Sequence, residues 1–460
     1  MGATTLAYAV CDPFDEFAAN AHEVLQEWLE GMRPTLEAER LPSLRELSNL
    51  FTTTRGQLLG GCLKAAIECL FRPQLEETTI CCELCGRRLS RRRLDSKTCS
   101  TLQGEFVLER PYFYCQKCCW SSHPLDIALG LSRRRHQYDV QEQVTLLAAD
   151  LPYEAGADHF SRLTGIEVGN HFAFDTLTAV AAYAGPERVV PPREEIASRV
   201  ETAIKAGGNP VLVVAIDGAH TPIRPPGGRK HKRGKGEWKE TKGVRLYLVS
   251  DDDRIIQVAS WHRNGDTKDF AWDLKRIAAR IPDVEIPVAV VADGAPWIWA
   301  LAKKQFPDAR QVLDYYHCSQ HVHAVANEQY PDPSVATAWA QATLARLSLG
   351  RVGVVIAGLR RMKPRNTSVC EDVRKLIGYL VANRDRVAYG SCKADGIPKG
   401  SGGIESANKY IHHTRLKRSG AWWLKPNANK MLAIRCAIYN HTFKTVFDRH
   451  VAFETRLLNI

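Results

Sequence analysis

The sequence predicts a multidomain α/β protein, and three features of the chain carry that prediction. Apolar residues recur at helical spacing near the start, two Cys-x-x-Cys pairs follow, and from about residue 211 apolar β-branched runs alternate with helical stretches. At 460 residues the chain is long enough for about two to four domains. Hydrophobic residues make up 45% and charged residues 25%, as in proteins with a buried core.

The charge balance bears on the partner. A net charge of +11 favours a polyanion, although many basic proteins bind no nucleic acid. Asp12, Asp15 and Glu16 argue against a secretory signal, and no apolar run reaches the roughly 18 residues that a membrane span needs. We therefore expect a cytoplasmic protein without a membrane partner. Its fourteen cysteines would then be thiols or metal ligands and not disulfides.

The region 1–75 is predicted to be helical. Residues 16–32 and 43–70 carry apolar side chains at helical spacing, and Pro34 and Pro42 separate the two stretches. Two such helices are typical of a packing or dimerising pair, and no site is predicted on them.

The region 76–130 is predicted to be a zinc ribbon. Each of its two Cys-x-x-Cys pairs has the spacing of a metal-binding knuckle, and a tetrahedral Zn²⁺ needs four thiolates. The predicted ligands are Cys82, Cys85, Cys115 and Cys118. Cys81 and Cys119 each adjoin a pair and leave open which thiols bind. A redox role is disfavoured because no thioredoxin-like βαβ pattern surrounds the pairs.

The region 131–195 has the outline of a helix-turn-helix domain. Helical periodicity over 138–184 is interrupted at Thr164-Gly165, and the Pro191-Pro192 pair indicates a linker. Many three-helix packings share this outline, so DNA binding is one of two interpretations.

The remaining chain predicts a catalytic core. Strands are expected at 211–216, 244–250, 255–261, 288–292 and 312–314, with helices at 268–281, 296–305 and 317–330. Three strands, a helix, and then alternating strand and helix is the order of an RNase H-like core. We assign that core to 205–332 and 399–460, with a helical insertion at 333–398.

Three carboxylates give this core a predicted chemistry. Asp217 and Asp293 follow apolar runs, and Glu405 opens a helical stretch rich in Lys and Arg. Two Mg²⁺ or Mn²⁺ ions held by such acids can activate a nucleophile and stabilise the leaving oxygen of a phosphodiester. Each acid alone is better explained as a turn or a helix-capping residue. Their joint place in the strand order favours two catalytic metal ions.

Several motifs carry a resemblance to a known family. They are Asp217-Gly, Asp293-Gly, Val312-Leu-Asp-Tyr-Tyr-His317, Gly400-Ser-Gly-Gly-Ile-Glu-Ser-Ala-Asn-Lys409 and Arg415-Leu-Lys-Arg-Ser-Gly-Ala-Trp-Trp423. From about residue 78 onward the chain resembles DDE transposases of bacterial insertion sequences, and it is most similar to the ISKra4-type group and its Mutator-like relatives. Ala421 departs from the pattern, where a larger residue is expected.

The resemblance implies a function and a set of residues. Such an enzyme binds terminal inverted repeats, cuts DNA and joins the freed 3′-hydroxyl to target DNA, with Asp217, Asp293 and Glu405 as catalytic metal ligands. Asp314 and His317 match an Asp-x-x-His motif beside the active site. An oligomer, at least a dimer, and a place on the bacterial nucleoid are implied as well.

Basic residues are expected to hold the DNA backbone. One set lies in a glycine-rich loop and another beyond Glu405: Arg229, Lys230, Lys232, Arg233, Lys235, Lys409, Arg415, Lys417 and Arg418. A charge run is more often a solvated surface, and its place beside a metal–phosphate site favours the DNA interpretation.

Two other functions remain compatible with the sequence. A DNA-binding regulator derived from a transposase would keep binding and lose catalysis, although the presence of all three acids argues against it. An RNase H-like nuclease would cut DNA without joining it. Detection of joined products separates the second from a transposase.

Overall fold

The structure is a computed structural model that describes residues 12–206, 209–226, 236–250, 254–283 and 286–459. The described residues form two compact units. One runs to Val180 and resumes at Phe447, and the other spans Ala181–Val446. No described helix is both long enough and apolar enough to cross a membrane.

The first unit begins with helices α1 (Pro13–Leu36), α2 (Leu44–Leu70) and α3 (Arg72–Glu76). Asp12 caps α1, and Ser43 and Glu46 form a reciprocal capping box on α2. The structure differs from prediction at Pro34, which lies inside α1. This proline removes one backbone donor from the last turn, and the helix ends two residues after it.

The cysteine-rich region forms two small antiparallel sheets. Strands β1 (Thr79–Cys81) and β2 (Arg88–Ser90) pair with each other, and β4 (Gly104–Cys115) pairs with both β3 (Arg93–Thr101) and β5 (Trp120–Ser122). Alternate residues of β4 are buried, and Phe106 and Leu108 pack with Ile67 of α2.

Four helices follow in this unit: α4 (Pro124–Leu129), α5 (Tyr138–Asp150), α6 (Tyr153–Thr164) and α7 (Asn170–Ala181). α6 ends at Gly165, whose φ of 78° is the left-handed geometry that a glycine cap provides. The predicted break between two helices is therefore present.

The second unit contains α8 (Pro186–Val189), α9 (Arg193–Lys205) and a five-stranded sheet. Its strands are β6 (Val211–Ile223), β7 (Glu237–Val249), β8 (Ile255–Asn264), β9 (Val288–Ala292) and β10 (Arg310–Leu313). The order is β10-β9-β6-β7-β8, with β9 and β10 parallel to β6 and β7 antiparallel to its neighbours. Residues 211–216 of β6 are fully buried, as the unbroken apolar run predicts.

Helices complete this unit. They are α10 (Thr267–Ala278), α11 (Pro296–Gln305), α12 (Tyr315–Gln329), α13 (Pro333–Ser348), α14 (Val352–Arg361), α15 (Thr367–Ala382), α16 (Tyr389–Ala394), α17 (Gly402–Ala407), α18 (Thr414–Leu416) and α19 (Lys425–Tyr439). The last helix, α20 (Phe443–Arg456), begins in this unit, and its residues from Phe447 onward belong to the first unit. The segment Asn408–His413 between α17 and α18 is π-helical. The predicted insertion is helical, from α13 to α16.

Candidate active site

The three parallel strands of the sheet stop pairing at the same level. Ile216 of β6 is the last residue paired with β9, opposite Ala292, and Ala292 in turn lies opposite the last residue of β10. The residue that follows each of these positions is an aspartate: Asp217, Asp293 and Asp314. The sequence predicted that the strand ends just before Asp217. Instead, β6 continues beside β7 to Ile223, so Asp217 lies within the strand.

Glu405 reaches this edge from α17. It is partly buried, between Ile404 and Ala407, which are fully buried. The Arg245 guanidinium donates to the Gly403 carbonyl at 2.6 Å. A Cβ at residue 403 would lie 2.6 Å from the Tyr247 ring, so only glycine lets the helix come this close to β7.

Asp314 connects the sheet edge to the segment that carries Glu405. Its backbone N–H donates to the Ala292 carbonyl at 2.7 Å, beside Asp293. Its fully buried carboxylate caps α12 by accepting from the His317 amide at 2.6 Å, and it also accepts from the Ser401 amide. Burial raises the pKa of Asp314, but the hydrogen bonds outweigh it and lower the pKa to about 2.

We expect Asp314→Asn to destabilise the fold by about 1–3 kcal/mol at pH 7, because the charge is lost and the single amide oxygen can accept from only one of the two backbone N–H groups. The folded pKa lies below the usual value near 3.8, so the stabilisation is complete above that value and is lost as pH falls toward 2. Urea unfolding at pH 7 and pH 3 measures this. Asp332, an exposed cap of α13, provides the control; equal losses in Asp332→Asn and Asp314→Asn would contradict the bridging role.

The environment of Asp217 shows that the acids share one site. Its Oδ1 accepts from the Gly218 amide and its Oδ2 from the Asn408 side-chain amide, both at 2.7 Å. Burial raises the pKa of Asp217 to about 6, and the negative charges of Asp293 and Glu405 add to the rise. A cation at this position would relieve that accumulation of negative charge.

His317 lies at the same site. Its Nδ1 is 3.5 Å from Asp314 Oδ1, and the interaction with this carboxylate raises the pKa of the imidazole. The charges of Asp293 and Asp217 raise it further. The structure therefore brings together all five residues predicted for the active site.

The acids are oxygen ligands of the kind that Mg²⁺ and Mn²⁺ prefer. Among the described residues, however, the only group of three or more potential ligands within 4.8 Å of one another is the cysteine quartet. The three carboxylates are thus more widely spaced than a compact single-ion cage. The donor chemistry and the shared negative charge fit metal binding.

The cysteine quartet has the geometry of a zinc site. The sulfurs of Cys82, Cys85, Cys115 and Cys118 all lie within 4.8 Å of one another. The Cys85 and Cys115 sulfurs are 3.7 Å apart, close to the ~3.8 Å edge of a tetrahedron with Zn–S bonds of about 2.3 Å. Cys81 and Cys119 are exposed and stand outside the quartet. The Arg87 amide lowers the pKa of the Cys85 thiol to about 7, whereas burial raises the pKa of Cys82 and the hydrogen bond with Cys85 raises that of Cys118.

The predicted DNA contacts fall into three groups. Lys409, Lys417 and Arg418 are exposed, and Lys409 lines a cleft of about 440 Å³ together with Glu405. Arg415 is 4% exposed and its guanidinium lies 5.2 Å from the centre of the Trp423 ring. This placement disagrees with the predicted DNA contact of Arg415. The others lie outside the described residues: Arg229, Lys230, Lys232, Arg233 and Lys235.

Two site residues were not predicted from the sequence. Asn408 donates to Asp217, and the Tyr379 hydroxyl in α15 donates to the Asp293 carbonyl at 2.9 Å. Asn408 follows Glu405 by three residues, one helical turn, which is a signal for a shared face. Tyr379 belongs to the insertion and has no such signal.

Neither a known protein family nor a curated protein matches the chain. Among solved structures, the chain is similar to a Drosophila P element transposase strand transfer complex, with a TM-score of 0.24 and 10% sequence identity. The alignment covers 67% of this chain and 80% of that chain. A likeness this distant assigns neither fold nor activity. Any proposal about this protein must therefore rest on its own residues and their geometry.

Proposed function

We propose that the protein is a DNA transposase that cuts and joins DNA with two metal ions. The observation that carries the proposal is that Asp217 and Asp293 directly follow the last paired residues of β6 and β9, and that the charge of Glu405, from a distant helix, acts on Asp217. The rise in the pKa of Asp217 to about 6 supports a cation-binding site, because a bound cation would stabilise the ionised carboxylate.

The strand order supports an RNase H-like core. Three antiparallel strands, β6 to β8, are followed by two that lie parallel to β6 on its other side. In this arrangement the first strand is central, and an acid on it adjoins an acid at the end of its parallel neighbour. Asp217 and Asp293 occupy these positions.

We assign one set of residues to metal binding and another to orienting a metal ligand. Asp217, Asp293 and Glu405 would hold Mg²⁺ or Mn²⁺, while Gly218 and Asn408 orient Asp217. When bound, two such ions supply activation of water or a 3′-hydroxyl and stabilisation of the leaving oxygen.

The exposed cations Lys409, Lys417 and Arg418 are proposed to bind DNA phosphates beside the cleft, as is the basic loop at 229–235. The zinc ribbon and the helix-turn-helix-like region 131–195 are proposed to recognise the inverted repeats. Because a transposase acts on two DNA ends, we propose an oligomer, at least a dimer.

The test is a joining assay with Mg²⁺ on DNA that carries the sequences flanking the gene. We expect wild-type protein to give both nicked and joined strands, and Glu405→Gln to give neither while still binding the DNA. Nicks without joined products would identify a nuclease. Binding without either product, in wild type and Glu405→Gln alike, would identify a regulator.

A further inference from the structure

A row of three residues crosses the central strands beside the acids. Asp217 on β6 lies opposite Gly243 on β7, which lies opposite His262 on β8. A Cβ at residue 243 would be 2.6 Å from His262 Nε2. The missing side chain therefore provides the space in which the imidazole lies over β7 and meets Asn408 of the π-helical segment.

Hydrogen bonds continue from this imidazole to the acid. His262 Nε2 is 2.7 Å from Asn408 Oδ1, and Asn408 Nδ2 is 2.7 Å from Asp217 Oδ2. His262 and Asn408 are 1% and 4% exposed, so water does not replace these contacts. On the other side of the ring, Nδ1 lies 3.9 Å from the buried Cys436 sulfur.

The chemistry of the three side chains determines which atom donates and which accepts in each of these hydrogen bonds. An ionised Asp217 only accepts, so Asn408 must turn its NH₂ group toward it and its carbonyl oxygen toward His262. His262 must then carry its proton on Nε2. Burial lowers the pKa of His262 to about 4, which keeps the ring neutral, with Nδ1 left as an acceptor for the Cys436 thiol.

We propose that His262 is a positioning residue that acts through Asn408 to hold the Asp217 carboxylate in its metal-binding orientation. The proposal rests on the proposed function, because His262 and Asn408 would support a ligand of the same metal site. With Asn408 and Gly218 each bonded to one oxygen, rotation of the carboxylate is restrained and both oxygens keep a second lone pair. Such outer partners of ligating carboxylates are common in metal sites.

The experiment is a Mn²⁺ titration of the full-length, zinc-loaded protein by calorimetry. We expect His262→Leu to weaken Mn²⁺ binding by roughly 10–100-fold, the usual effect of losing an outer partner. His262→Gln keeps an N–H donor and should restore most of the affinity. In the joining assay, the Mn²⁺ concentration for half-maximal rate should rise for His262→Leu more than the rate at saturating Mn²⁺ falls.

Asn440→Leu is the matched control. Asn440 is also a buried amide, bonded to Ser260 and Val189 and not to the acids, so its loss should lower thermal stability and leave Mn²⁺ affinity unchanged. Mn²⁺ affinity of His262→Leu within twofold of wild type, or an equal loss in Asn440→Leu, would overturn the positioning role. If the acids do not bind metal at all, the result is different: wild type and Asp217→Asn would then bind Mn²⁺ alike.

Discussion

Asp217→Asn should abolish metal-dependent cutting and joining of DNA and, in the same protein, raise the melting temperature measured without divalent metal. The loss of activity follows from the proposed role of Asp217 as a metal ligand, since the charges of Asp293 and Glu405 both act on its carboxylate. Metal-ion catalysis contributes several kcal/mol to the stabilisation of a phosphodiester transition state, so we expect a rate decrease of ~10³-fold or more.

The gain in stability has a separate physical cause. The pKa of Asp217 rises from 3.8 to about 6 on folding, so at pH 7 the folded state holds an ionised carboxylate that burial and neighbouring charges disfavour. Removing that charge should stabilise the metal-free protein by about 1–3 kcal/mol. Below the unfolded pKa, the acid is protonated in both states, so the difference should shrink as pH falls from 6 to 4.

Thermal unfolding in EDTA-free, metal-depleted buffer at pH 7.5 and pH 4.5, paired with the joining assay, measures both effects. Asp308→Asn is the control, because Asp308 is exposed and precedes β10, at the opposite end of that strand from Asp314. An active Asp217→Asn protein would contradict the proposed site. A variant that is inactive but also less stable at pH 7.5 would contradict the electrostatic account of it.

Much of the sheet could be predicted because short, unbroken runs of apolar β-branched residues indicate buried strands. The strand at 288–292 and the helix at 296–305 have the predicted limits, since Pro296 sets the start of the helix and the strand is buried from Ala289 to Ala292. The length of β6 could not be predicted. Beyond Ile216 it contains Asp217, Gly218 and His220, which read as a turn, and only the hydrogen bonds of β7 keep them extended.

The candidate site divides in the same way. Asp217 and Asp293 could be predicted because the apolar runs before them identify the strands, and Glu405 could be predicted from the motif around it. Asn408 and His262 are not, because 146 positions separate them and their contact depends on the register that places Gly243 between β6 and β8. Arg415 was predicted to contact DNA from its place beyond Glu405, whereas the structure buries it over Trp423, a contact that its spacing from Glu405 does not reveal.

Removal of zinc should unfold the cysteine-rich sheets of the first unit and leave the acid site of the second unit intact. The quartet holds together two short strands, β1 and β2, and the end of β4, which otherwise share only a small core of Leu89, Phe113 and Trp120. In zinc-finger peptides the bound metal contributes roughly 10–16 kcal/mol, more than such a core can supply. Calorimetry should therefore show one transition lost or shifted far down on chelation, and a second unchanged.

Cys115→Ser and Cys81→Ser make a matched pair for this prediction. Cys115 is a buried member of the quartet and Cys81 is exposed and outside it, although both lie at strand ends of the same module. Mass spectrometry should find one zinc per chain in wild type and Cys81→Ser and none in Cys115→Ser, with Mn²⁺ binding at the acids equal in all three. Protein purified without chelators that contains no zinc, or two variants that melt alike, would show that the sulfurs are packed thiols. Loss of Mn²⁺ binding together with zinc would show instead that the acid site depends on the ribbon, contrary to separate folding of the two sites.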